Sequence, residues 1–178
     1  MRKMMCVLAA GLLIACAGAQ KPRAMKLPDL GLGFTPPGGD WTVQRNVQTE
    51  LMGEQNVLLS NAKLDAEVGV NVVPAETAPF HPMTAETIQA VIQGLTEQGF
   101  RNVDVGYDEK RQLFSIAAEI DLGQDQNGQP IARQIKYTRL AKPGDPRSAV
   151  IVMGQSSVPS GPAMIQALDG VVNSLQSL

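Results

Sequence analysis

Apolar residues recur along this chain with two periods, and each change of period marks a new element. Trp41, Val43 and Val47 alternate with Thr42, Gln44 and Asn46, the pattern of a strand with one buried face. Arg45 interrupts that pattern, so this strand is expected to bulge or to lie at a sheet edge. Residues 57–61 read as a second strand. Val68, Val70 and Val72 alternate with Glu67, Gly69 and Asn71 in a third, which Pro74 ends. The period then changes. After a Pro- and Ala-rich loop at 74–82, Thr84 is a candidate N-cap. Ile88, Val91, Ile92 and Leu95 follow at helical spacing, forming one apolar stripe. Gly99 is placed to end that helix, with Phe100 folding back on its last turn.

Alternation resumes at Val103, Val105 and Tyr107, turns at 108–111, and continues through Phe114, Ile116, Ala118, Ile120 and Leu122. Asn127-Gly128 is a type I′ hairpin signal. With those two residues at the tip, Ile120 faces Ile135, Ala118 faces Tyr137, and Glu119 faces Lys136. A turn at 142–146 leads to the continuous apolar run 149–153, expected as a central strand covered on both faces. Ser160 is then expected to cap a last helix with Pro162 in its first turn. Met164, Ile165, Leu168, Val171, Val172 and Leu175 form its stripe. The predicted order is βββαββββα. This is an α+β fold, with a largely antiparallel sheet of about six to seven strands and two packed helices.

The N-terminus has a different pattern. Arg2 and Lys3 precede an apolar run at 7–15, which fits an export signal and is too short to span a bilayer. Leu13-Ile14-Ala15-Cys16 resembles a bacterial lipobox, in which the cysteine becomes a lipidated N-terminus. By resemblance to lipoprotein sorting patterns, Ala17 after the cysteine, in place of Asp, favours the outer membrane. The alternative is cleavage after Ala19, at Ala17-Gly18-Ala19, giving a free Gln20. The predicted organisation is a signal at 1–19, a tether at 20–33 with two Pro and two Gly but no period, and one domain at 34–178.

Composition narrows the chemistry. Of 15 Lys+Arg, removing Arg2 and Lys3 leaves 13 against 17 Asp+Glu, a mildly acidic chain that argues against nucleic acid as a partner. Both cysteines, Cys6 and Cys16, lie in the signal. The body therefore has no disulfide, thiol nucleophile or thiolate metal site.

The element order, opening with Phe34, Pro36-Pro37 and Trp41, resembles the PsbP-like fold group over about residues 34–178. That group includes the photosystem extrinsic subunit PsbP, the Ran-binding import factor Mog and envelope lipoproteins such as DcrB. The resemblance implies binding or assembly rather than catalysis. No family site motif matches here, so no functional residue carries over.

The remaining candidates for chemistry are sparse. His81 is the single histidine and has no second His or Cys to complete a zinc or nucleophilic site. Gly31-Leu32-Gly33 neither follows a strand nor opens a helix, as a dinucleotide loop must. Ser156-Ser157 and Ser160-Gly161 lack a nucleophile elbow. Asp65/Glu67 and Glu119/Asp121 share strand faces and Asp108/Glu109 sits in a turn. Each is a conceivable calcium or acid–base pair, and each reads more simply as a solvated face. Arg133, Lys136, Arg139, Lys142 and Arg147 form either an anion-binding patch or edge protection, with Arg133 and Arg139 on one strand face and Lys136 on the other. Trp41 is expected as a core anchor.

The resulting expectation is a non-catalytic envelope lipoprotein without metal or cofactor. It is anchored to a membrane surface through Cys16 and acts as a binding or assembly accessory to an envelope protein partner. A soluble periplasmic or secreted binding protein is the alternative, and a hydrolase with an unrecognised site is a third reading.

Overall fold

A computed structural model describes residues 23–78 and 84–178. Two short strands come first, β1 (Met25–Leu27) and β2 (Leu32–Phe34), linked by the 3-10 turn Pro28–Leu30. Then follow β3 (Thr42–Thr49), β4 (Gly53–Asn61), β5 (Ala66–Pro74), α1 (Ala85–Glu97), β6 (Arg101–Asp108), β7 (Leu113–Gln124), β8 (Pro130–Lys142), β9 (Asp145–Ser157), α2 (Gly161–Ser174) and β10 (Gln176–Ser177). From β3 to α2 this is the order βββαββββα. Strands β3 to β9 form one seven-stranded sheet in the order β3-β4-β5-β9-β8-β7-β6, and every pair in it is antiparallel.

The core lies between this sheet and α2. Val57, Leu59, Val68, Val70, Leu140, Val150 and Val152 point to one side and meet Met164, Ala167, Leu168, Val171 and Val172. The apolar run at 149–153 is the middle strand, and Ala149, Val150, Ile151 and Val152 are all buried, so both its faces are covered. Strand β9 crosses beneath α2 at Gly154. A Cβ there would collide with the Met164 sulfur, so the missing side chain sets how closely the helix approaches. Helix α1 packs on β6 and adds no residue to this core. Thr84 caps it as expected, its Oγ1 accepting the Thr87 N–H at 3.1 Å. The Phe100 N–H returns to the Leu95 carbonyl at 3.0 Å. Ser160 holds the N-cap position of α2 without capping it, and its hydroxyl instead meets Ser157 Oγ at 3.3 Å.

The structure differs from the expected tether at 20–33. From Met25 onward that stretch is built into the fold. β2 pairs with β1 on one side and with the C-terminal β10 on the other. Leu27, Leu32 and Phe34 are 0–1% exposed within the main core. Burying three such side chains outweighs the turn propensity of the intervening Pro and Gly residues.

The hairpin register also differs. Ile116 faces Tyr137, Ala118 faces Ile135, Ala117 faces Lys136 and Glu119 faces Gln134, two residues away from the expected pairing. The loop is one residue longer than a type I′ turn. Asp125 and Gln129 close it with a 2.8 Å backbone bond, and Gly128 takes φ +76°. A bulge at Gly123, φ +93°, absorbs a second residue before the ladder resumes at Asp121. A two-residue slip keeps every side chain on its expected face, so alternation alone cannot detect it.

Candidate functional site

On the sheet face away from α2, four polar residues stand in one cross-strand row. Thr42 pairs with Ser60, Ser60 with Glu67, and Glu67 with Gln155. They floor a cleft of about 370 Å³ that Asp40, Asn61, Ala62, Asp65, Ala66 and Arg133 complete. The turn before β5 shapes one wall. Buried Asn61 accepts the N–H groups of Lys63 and Leu64 on its Oδ1, at 3.1 and 3.2 Å. The chain then reaches β5 through Asp65 at φ +45°, a conformation Asp tolerates better than most residues. Arg133 from β8 fixes that corner by bonding the Asp65 carboxylate and, at 3.3 Å, its carbonyl.

Electrostatics inside the cleft are mostly satisfied locally. Gln155 Nε2 donates to Glu67 Oε2 at 2.6 Å, which orients the amide. Its Oε1 is buried with no hydrogen-bond partner among the described residues. Lys63 bonds Asp40 at 2.6 Å, and that bond raises the amine's pKa above its ordinary value. Among the described residues, no lining hydroxyl is hydrogen-bonded to a carboxylate, and Thr42 Oγ1 instead donates to the Ser60 carbonyl at 3.2 Å.

The other candidates disperse. Asp65 and Glu67 do share the cleft, but one is held by Arg133 and the other by Gln155. Asp108 accepts the N–H groups of Lys110 and Arg111. Asp121 lies 3.7 Å from Arg101. Lys136 bonds Asp169 of α2 at 2.7 Å, not the expected Glu119, because the register places Gln134 opposite Glu119. Lys142 and Arg147 both approach Asp145, at 3.9 and 3.8 Å, while Arg139 is buried. The five cations therefore do not make one patch. Trp41 packs against the main core as a partly buried residue. Leu32 of Gly31-Leu32-Gly33 is a core residue, and Ser156 is fully buried with its hydroxyl on the Ser157 carbonyl. Cys6, Cys16 and His81 lie outside the described residues. Among the described residues, no cluster of His, Cys, Asp or Glu is arranged to hold a metal ion, and no helix is long and apolar enough to cross a membrane.

No family model and no curated protein sequence matches the chain. Among solved structures it is similar to cyanobacterial PsbP (CyanoP) from Synechocystis, with a TM-score of 0.52 and 10% identity, over 94% of this chain and 100% of that one. It is also similar to LpqN of Mycobacterium tuberculosis, a protein involved in cell envelope biogenesis, at TM-score 0.48 and 7% identity over 82% of each chain. The chain has a PsbP-like fold, as the element order and the Phe34, Pro36-Pro37, Trp41 opening implied.

Proposed function

We propose that this protein is an exported, non-catalytic accessory of the cell envelope, anchored by lipid on Cys16 and serving the binding or assembly of a membrane-associated complex. The observation that carries this reading is the position of Cys16. It closes the apolar run 7–15 and stands nine residues before Met25, where the folded body begins. Nine residues reach at most about 30 Å when fully extended. An acyl anchor there holds the domain close to a membrane surface, with the β1-β2-β10 end nearest. The PsbP-like fold supports a binding role, and the cleft at Glu67 and Gln155 offers acceptors to a partner.

The experiment is fractionation of cells expressing the wild type and Cys16→Ala. The wild type is expected in the membrane fraction. Cys16→Ala is expected to be soluble in the exported compartment or retained as uncleaved precursor. A wild-type protein that is soluble and starts at Gln20 supports the periplasmic or secreted alternative.

A further inference from the structure

The cleft over β3, β4, β5 and β9 leaves one charge unanswered. Asp65 on its wall is held by Arg133, and Asp40 at its rim by Lys63. Glu67 on its floor is in no ion pair among the described residues. Its Oε2 accepts the Gln155 amide at 2.6 Å, and that partner is neutral. Of the acidic residues outside ion pairs, only Glu67 and Glu119 are less than exposed, and the rest stand in solvent. Glu119 lies on β7 and is not part of the cleft. Glu67 thus combines half burial, no counter-charge among the described residues and an open cavity above it. Partial burial strips a carboxylate of some hydration, and an arriving cation replaces it with charge-assisted hydrogen bonds.

The rest of the cleft suits a cation rich in donors. The amide bond engages Glu67 Oε2, and Oε1 accepts no hydrogen bond among the described residues. Ser60, paired with Glu67 in the row, has a hydroxyl that bonds no described residue. The lining charge is negative, with Asp40, Asp65 and Glu67 against Arg133, which disfavours an anionic occupant. Among the described residues no three His, Cys, Asp or Glu are arranged to hold a metal ion, so the donor set suits an organic cation. The volume of about 370 Å³ admits a long side chain and lies near the low end of small-molecule sites. Thr42 at the rim belongs to β3, an edge strand of the seven-stranded sheet, and residues 42–46 are all exposed. A protein segment therefore reaches the cleft without displacing any described element.

We infer that the cleft is a socket for a cationic side chain of a protein partner, an arginine guanidinium or a lysine ammonium. Glu67 is its counter-charge and Ser60 its second acceptor. This rests on the reading of the protein as a partner-binding accessory and names what the partner presents. It makes no use of the lipid anchor.

The test is an NMR titration of the isotope-labelled, purified mature protein with acetyl-Gly-Arg-Gly-amide. The lysine peptide and a citrulline peptide, which keeps the arginine shape without its charge, are titrated in parallel. The arginine and lysine peptides are expected to give saturable shifts at Ser60, Glu67 and Gln155, weakened by added salt. The citrulline peptide is expected to bind at least about tenfold more weakly. Glu67→Gln keeps an acceptor for Gln155 but removes the charge, and is expected to weaken arginine-peptide binding at least about tenfold with an unaltered circular dichroism spectrum. Glu119→Gln, off the cleft, is expected to bind as wild type does. The citrulline comparison uses wild-type protein and so does not depend on any variant folding. The inference is overturned if neither cationic peptide gives saturable shifts, if citrulline binds as tightly as arginine, or if Glu67→Gln binds as well as wild type. Shifts clustered away from the cleft also contradict it. Such a failure leaves the lipid anchor standing, and an unlipidated, soluble protein that binds the arginine peptide would refute the anchor alone.

Discussion

A methyl group separates tolerance from damage at two glycines, one in β9 beneath α2 and one on the exposed side of α2. At Gly154 an added Cβ meets the Met164 sulfur and, at 3.1 Å, Leu168 Cδ1, both in a fully buried layer. Gly154→Ala is expected to lower stability by about 1–3 kcal/mol in urea denaturation. Gly170 lies in α2 with no other atom within 4 Å of where a Cβ would stand, so Gly170→Ala is expected to raise stability by about 0.5–1 kcal/mol. Tyr137 gives a pH signature. Its folded pKa of about 12 is above the ordinary phenol value, so the neutral form is favoured in the folded state. The stability this contributes is complete below the unfolded value near 10 and is lost as pH rises toward 12. In Tyr107→Phe, absorbance titration is expected to show the remaining phenol ionising near 12 while the protein stays folded. Ionisation near 10 in folded protein would refute the burial account. At this scale the sequence was only partly informative. Alternation placed Arg139 on the Ile135 and Tyr137 face. That it forms no ion pair among the described residues was hidden, because the nearby aspartates that occupy Arg133 and Lys136 come from the β4–β5 turn and from α2.

The two helices differ in how their apolar stripes are used. α2 buries Met164, Ala167, Leu168, Val171 and Val172, whereas no described side chain of α1 is fully buried. Local stability follows buried apolar contact, so α1 amides are expected to exchange with deuterium well before those of α2. Equal protection of the two would contradict the burial pattern. Thr84→Ala removes the cap of the weaker helix and is expected to cost about 1 kcal/mol in thermal denaturation. Most elements were legible because each carries enough residues to display a period. The β7–β8 register was not. Asn127-Gly128 matched a two-residue turn, but Asp125 Oδ1 accepts the N–H groups of both Asn127 and Gln129, at 2.8 Å each, and stabilises the longer loop. Those bonds also hold the Asp125 carboxyl below its ordinary pKa.

For the molecule as a whole, the ends of the chain close the fold together. β2 lies between β1 and β10, which are separated by almost the entire sequence. Strands of two or three residues show no period, so alternation does not distinguish Met25–Leu27 and Leu32–Phe34 from a tether. Truncation separates the two descriptions. A chain beginning at Arg23 is expected to fold with wild-type stability. One beginning at Thr35 loses Leu27, Leu32 and Phe34, each worth about 1.5–3 kcal/mol when fully buried. Their sum approaches a typical domain stability of about 5–15 kcal/mol, so that chain is expected to be unfolded by circular dichroism. Shortening the connector in this way bears on the proposed anchor, because a domain starting at Met25 would leave little slack after a lipidated Cys16. The most direct measurement is therefore intact mass and N-terminal peptide analysis of the mature protein. It should show a chain that begins at Cys16 and carries a diacylglyceryl group. An unmodified chain still bearing Met1, recovered from the cytosol, would contradict it.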